Sequence, residues 1–139
     1  MHRVRFTTAS SNKSSRQGLA AVELAICLPL MVMLTFGAVE AANAIYLKQM
    51  LVTAAYEAAR SSTALGATQA DGEARYTQII SSVGIKNSTI TFTPPITDAT
   101  PAGAAIKVTV SAPADSNSFS IKRFFKGTTL KGVVTMPRL

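Results

Sequence analysis

Sixteen consecutive uncharged residues, Leu24 to Val39 (LAICLPLMVMLTFGAV), stand between Glu23 and Glu40. Continued to Ile45, the segment has 22 residues and a single internal acid. As a helix it is about 33 Å long, enough to cross the hydrocarbon core of a bilayer. Everything else in the chain has to be arranged around this segment. The 18 residues before Leu19 are basic and Ser/Thr-rich, with Arg3, Arg5, Lys13 and Arg16 and no acid. With almost no large apolar side chains, they cannot offset the entropy of ordering a backbone and read as a leader or tail. The first base beyond the span is Lys48. This charge asymmetry places the N-terminus in the cytoplasm and the C-terminal part across the membrane.

The stretch Ala41 to Thr63 has neither Pro nor Gly and is rich in Ala, so the helix is expected to continue. Leu47, Leu51, Ala54, Ala55 and Ala58 recur at spacings of three and four, marking a packing face, while Lys48, Glu57 and Arg60 fall elsewhere. The helix is thus apolar all round at first and amphipathic later, with Gly66 as its stop. Thr68 lies three residues before Asp71 as in a capping box, and Tyr76, Ile79, Ile80 and Val83 form the apolar face of a short second helix before Gly84. Beyond it the period changes to two: Ile90 and Phe92, then Ile106, Val108 and Val110, with Pro94, Pro95 and Pro101 between. Phe119 with Ile121, and Leu130 to Met136, read as further β segments, with Gly127 in a turn. The expected fold class is α+β: a long N-terminal helix, a short second helix and a small, mainly antiparallel sheet of three to four strands. The divisions are 1–18, a basic leader; 19–45, a transmembrane helix; 46–65, its amphipathic continuation; and 66–139, a small extracytoplasmic domain.

The formal charge of +7 at first invites a nucleic-acid reading. The leader holds four of the 14 bases; the other ten stand against seven acids, leaving +3. That remainder argues against nucleic acid as a partner. The basic group Lys122, Arg123, Lys126 and Lys131, beside Phe119, Phe124 and Phe125, reads as a solvated strand edge that discourages aggregation, with a DNA-contacting surface as the alternative. One cysteine, Cys27, and one histidine, His2, argue against a disulfide, a metal cage or a Cys–His nucleophile. No nucleophile elbow, P-loop or HExxH motif is present, so neither catalysis nor a cofactor is expected.

The junction Arg16-Gln17-Gly18-Leu19-Ala20-Ala21-Val22-Glu23 sets a glycine five residues before an acid at the edge of an apolar helix. An acid there costs free energy as it enters the bilayer, which calls for a partner. Cleavage after Gly18 would create an α-amine at Leu19 that a neighbouring copy could set beside Glu23, fixing register. Gly18 and Glu23 resemble the two marker positions of class III (prepilin) processing. The stretch from Gly18 to Arg60, with its Ala-Val-Glu, Leu-Pro-Leu and Phe-Gly-x-Val-Glu elements, resembles the TadE-like pseudopilins of tight-adherence (Flp-type) pilus systems. Leu24 departs from the aromatic that commonly follows the glutamate in that family.

The resemblance implies a pilin-like fold and a minor pseudopilin, cut after Gly18 by a prepilin peptidase. It further implies assembly with other pseudopilins and the major Flp pilin by an inner-membrane platform and its ATPase motor. The location implied is the bacterial inner membrane, single pass, and then the pilus. Two small pairs, Gly37 with Ala41 and Ala38 with Ala42, suit close helix packing, and Pro29 removes one helical hydrogen bond. Three alternatives stay open: a signal peptide cut at Ala42-Asn43-Ala44 to release a domain beginning at Ile45, a plain single-pass anchor of other function, and a DNA-uptake pseudopilin. Glu23 read alone is an acid at a helix start favoured by the helix dipole; Glu40 reads as a bundle hydrogen-bonding group or an acid at the far interface, and Cys27 as a small apolar residue.

Overall fold

The computed structural model describes residues 13–117 and 126–139, with side chains from Gly18 onward. Helix α1 runs Lys13–Thr63, α2 Gln69–Val83 and the one-turn α3 Ala114–Asn117; the strands are β1 Thr89–Thr93, β2 Ala105–Pro113 and β3 Thr129–Pro137. This is the expected α+β arrangement, with three strands among the described residues. The Phe119–Ile121 segment, and with it Lys122, Arg123, Phe124 and Phe125, lies outside those residues.

Helix α1 begins earlier than the composition of the leader foretells. Nucleation is the costly step in helix formation and extension adds one hydrogen bond per residue, so a long apolar helix continues into Lys13–Gln17 at little cost. Pro29 sits inside α1; without an N–H it leaves the Ala25 carbonyl without its helical donor. Thr35, the other interruption of apolarity nearby, donates its hydroxyl to the Met31 carbonyl at 2.8 Å, which hides a polar group within the helix.

The chain divides into two compact units, residues 1–35 and 36–139. In the second, the predicted face of α1 is the core: Leu47, Leu51, Ala54, Ala55 and Ala58 are all buried, joined by Ala59, Ser62 and Thr63. The buried hydroxyls of Ser62 and Thr63 both donate to the Ala59 carbonyl, at 3.2 and 2.8 Å. Lys48 and Arg60 are exposed. The helix stops before left-handed Gly66, φ +76°, and the Thr63 carbonyl accepts the N–H of Leu139 at 2.9 Å.

Helix α2 starts as its sequence foretells. The Asp71 carboxylate accepts both the Thr68 N–H and the Thr68 hydroxyl at 2.8 Å, which holds its pKa below the ordinary value of 3.8, the backbone bond contributing most. At the other end Gly84 is left-handed, and the N–H of Ile85 returns to the Ile80 carbonyl at 3.1 Å, satisfying an end-of-helix acceptor. An ion pair between Arg75 and Glu57, 3.1 Å, ties α2 to α1; both groups remain partly solvated, so it is worth no more than about 1 kcal/mol.

The sheet order is β1-β2-β3, antiparallel throughout. Phe92 pairs with Val108 and Val110 with Gly132, which fixes the register. Alternation then separates the faces. Ile106, Val108, Val110 and Ala112 face the core, while Lys107, Thr109 and Ser111 lie on the opposite face. Two glycines allow the layers to meet. A Cβ on Gly72 would stand 2.8 Å from the Ala58 carbonyl oxygen and 3.1 Å from the Phe92 ring. One on Gly132 would stand 2.5 Å from both the Leu51 oxygen and the Val52 nitrogen. At both positions helix α1 comes so close that only hydrogen fits.

Candidate assembly and membrane segment

The first part of α1 carries its apolar side chains into the open. From Gly18 to Phe36 every residue is exposed, among them Leu19 at 64%, Ile26 at 70% and Met31 at 66%. Exposure of single apolar residues is ordinary, but a continuous helical surface of this kind is not. The helix is long and apolar enough to span a membrane, and no residue of its most apolar window is buried by the chain itself. Leu19 to Val39 is 21 residues, about 31 Å of helix, against about 30 Å for the hydrocarbon core.

Gly18 lies in this exposed helix, and nothing comes within 4 Å of where its Cβ would be. The Gly18–Leu19 peptide is helical rather than extended. Glu23 is also exposed, four residues and about 6 Å of helix rise beyond Leu19.

The two small-residue pairs part company. Ala38 and Ala42 are exposed, whereas Gly37 and Ala41 are partly covered by the unit to which they belong. The Ala38/Ala42 pair is thus the one fully presented to an approaching helix. Glu40 is only 4% exposed. The reading of it as an acid at a water interface is therefore replaced by one in which the domain packs around it, and the freely exposed apolar run ends at Val39. Cys27 is free and exposed with the rest of that run. Lys107, Lys126 and Lys131 are exposed.

Among the described residues no three His, Cys, Asp or Glu side chains gather where they could hold a metal ion. What sequence patterning missed is the close approach at Gly72 and Gly132, and the concave surface where Asn43, Tyr46 and Lys86 meet Asn117. Each joins residues far apart in sequence, and no periodicity within one element encodes it.

No curated protein and no solved structure matches the chain. Residues 18–60 match the family model described as TadE-like protein, the stretch that starts at Gly18, includes the exposed apolar helix and ends within the buried face of α1. Over this segment the chain is similar to the TadE-like family.

Proposed function

We infer that the protein is a minor pseudopilin of a tight-adherence pilus system, a structural and assembly component rather than an enzyme. It is a substrate of a prepilin peptidase that cuts after Gly18 and removes the basic leader. The observation that carries this reading is the placement of Gly18 and Glu23 on an exposed apolar helix whose other half is the core of a folded domain. A single-pass precursor uses that apolar surface against lipid; an assembled subunit uses it against other helices. The same side chains serve both because neither environment offers water.

After the cut, the amine of Leu19 and the carboxylate of Glu23 lie at opposite ends of one helical turn. Two copies shifted along their axes bring amine to carboxylate, and the pair specifies register more than it adds net stability. The alternative cut after Ala44 is less well supported, because Glu40 is buried and Asn43 and Ala44 are partly buried in the folded domain.

Assembly tests the role of the acid separately from processing. Glu23→Gln is expected to be cut as efficiently as the parent chain but to enter pili at least tenfold less, measured by immunoblot of sheared pili against whole cells. Undiminished incorporation of Glu23→Gln overturns the pairing role.

A further inference from the structure

The face of α1 turned away from its own core carries a second pattern. Ala38, Ala42, Ile45, Gln49, Val52 and Tyr56 follow one another at spacings of four and three. All six are exposed, Ile45 at 60%, Val52 at 39% and Tyr56 at 45%. They belong to the second compact unit and form a seam about 27 Å long. A repeat of 3.5 residues is the period at which two helices stay in contact by winding round each other. Written as heptads, Ala42, Gln49 and Tyr56 take position a, and Ala38, Ile45 and Val52 position d. Leu47, Leu51, Ala54 and Ala58, which build the domain's own core, fall at positions c and f on the far side. A helix laid on the seam therefore leaves the domain outside the pair. The seam stops at Tyr56 because the next two positions, Ala59 and Thr63, are buried in the domain. In sequence the same spacing runs back to Leu24, more than four heptads in all.

A hollow on this face is lined by Ile45, Lys48, Gln49, Val52 and Thr53, all of α1. The first four stand at i, i+3, i+4 and i+7, the diamond that receives one side chain of a facing helix. These are positions d, g, a and d, and in a parallel pair at equal height that hole takes the matching a residue, Gln49 of the other helix. Lys48 at g then stands across from Thr53 at e. The ammonium meets a hydroxyl and not a second ammonium.

Charge and hydrogen-bonding chemistry select the occupant. In a parallel pair of identical helices every seam residue meets its own counterpart, so a charged seam residue would face its like. No seam position is charged: Glu40 and Lys48, the charged residues between Ala38 and Tyr56, both lie off it. Gln49, the one polar residue of the six, has an amide that donates and accepts at once, so it pairs with itself. A single polar a position fixes register. Orientation follows from the membrane, since two copies crossing it with the same end in the cytoplasm are parallel and at equal height. Ala38 and Ala42 allow the backbones to come close at the start of the seam.

We propose that residues 38–56 of α1 dock on the same seam of a second copy of this chain, parallel and in register, with Gln49 paired to its own counterpart. The inference rests on the single-pass membrane reading of the proposed function. Its consequence is a paired subunit in the membrane before assembly.

The test uses the full chain with Cys27→Ser, reconstituted alone in phosphatidylcholine vesicles and oxidised with copper phenanthroline. A disulfide closes only where two Cα atoms come within about 7 Å, which the a and d positions of a parallel pair do. Ile45→Cys, Gln49→Cys and Val52→Cys probe the seam, and Arg60→Cys and Lys107→Cys, at exposed sites away from it, report chance collision. The seam variants are expected to form dimers at least fivefold more than the two controls. Adding Gln49→Glu to Ile45→Cys sets two carboxylates face to face and should lower its dimer at least fivefold, whereas adding Gln49→Leu should keep it. Controls that cross-link as readily as the seam, or a dimer undiminished by Gln49→Glu, would overturn the pairing. So would Ile45→Cys and Val52→Cys chains that, when mixed, cross-link chiefly to each other, the pattern of antiparallel helices. None of these outcomes touches the membrane reading; a chain that alkaline carbonate washes off the vesicles contradicts that reading instead.

Discussion

Two halves of one helix have nearly the same appetite for an apolar environment and satisfy it differently. From Leu19 to Phe36 the apolar residues are exposed on every side of α1; from Leu47 to Ala59 one stripe of them, Leu47, Leu51, Ala54, Ala55, Ala58 and Ala59, is buried against α2 and the sheet, while Val52 and Tyr56 stay exposed. Side-chain size separates them as well. The first half carries Leu, Met, Ile and Val all round, whereas the second buries four alanines, Ala54, Ala55, Ala58 and Ala59. Small residues bring the helix backbone down onto the sheet, and the bare backbone of Gly132 receives it. A segment that waits for lipid or for other helices needs large side chains on all faces; one that builds its own domain needs a narrow face of the right depth.

The sharpest way to break this comparison is to fill the closest contact. Gly132→Ala puts a methyl against backbone atoms of Leu51 and Val52 that cannot rotate away, so a loss of about 3 kcal/mol is expected, the upper part of the overpacking range. Urea unfolding of the intact chain in detergent measures it. Next in size is the matched pair Leu51→Ala and Leu28→Ala, identical changes on the two halves. The first empties a fully buried site and should cost about 3 kcal/mol of domain stability. The second, at an exposed site, should change domain unfolding by less than about 0.5 kcal/mol. Equal losses for the two would erase the distinction between the halves.

A smaller effect concerns the cap of α2, which lies in the domain and should be indifferent to the apolar half of α1. The Asp71 carboxylate has a lowered pKa in the folded state. The folded protein therefore favours its charged form: the contribution is complete above the unfolded value of 3.8 and disappears as pH falls through the lower folded value. The unfolding temperature of Asp71→Ala should lie slightly below that of the parent at neutral pH. The two should converge at acid pH, and a gap that persists there would assign the loss to something other than this carboxylate.

Much of the architecture was legible because it is written in local periods. The spacing of Leu47, Leu51, Ala54, Ala55 and Ala58 named the buried face, Thr68 with Asp71 named the start of α2, and alternation around Val108 named a strand, whose central place in the sheet only the structure gives. The start of α1 at Lys13 was not, because composition weighs what a segment contributes by itself and not the helix it is attached to. The burial of Glu40 escaped for a related reason: a carboxylate beside an apolar run reads as a boundary with water until the folded domain is seen to begin there. Gly18 and Glu23 stood out as a pair of marker positions, and the structure adds that both are exposed. The cavity around Lys86 had no signal at all, since its walls come from three elements separated by some 70 residues of chain.

The central claim is that residues 19 onward, not the whole chain and not the domain alone, are the form that assembles. Intact-mass measurement and N-terminal sequencing of the protein from cells with and without the prepilin peptidase test it most directly. A chain beginning at Leu19 in the first cells and at the uncut leader in the second is the predicted result. A chain beginning at Ile45, or one left unprocessed in both, would contradict it.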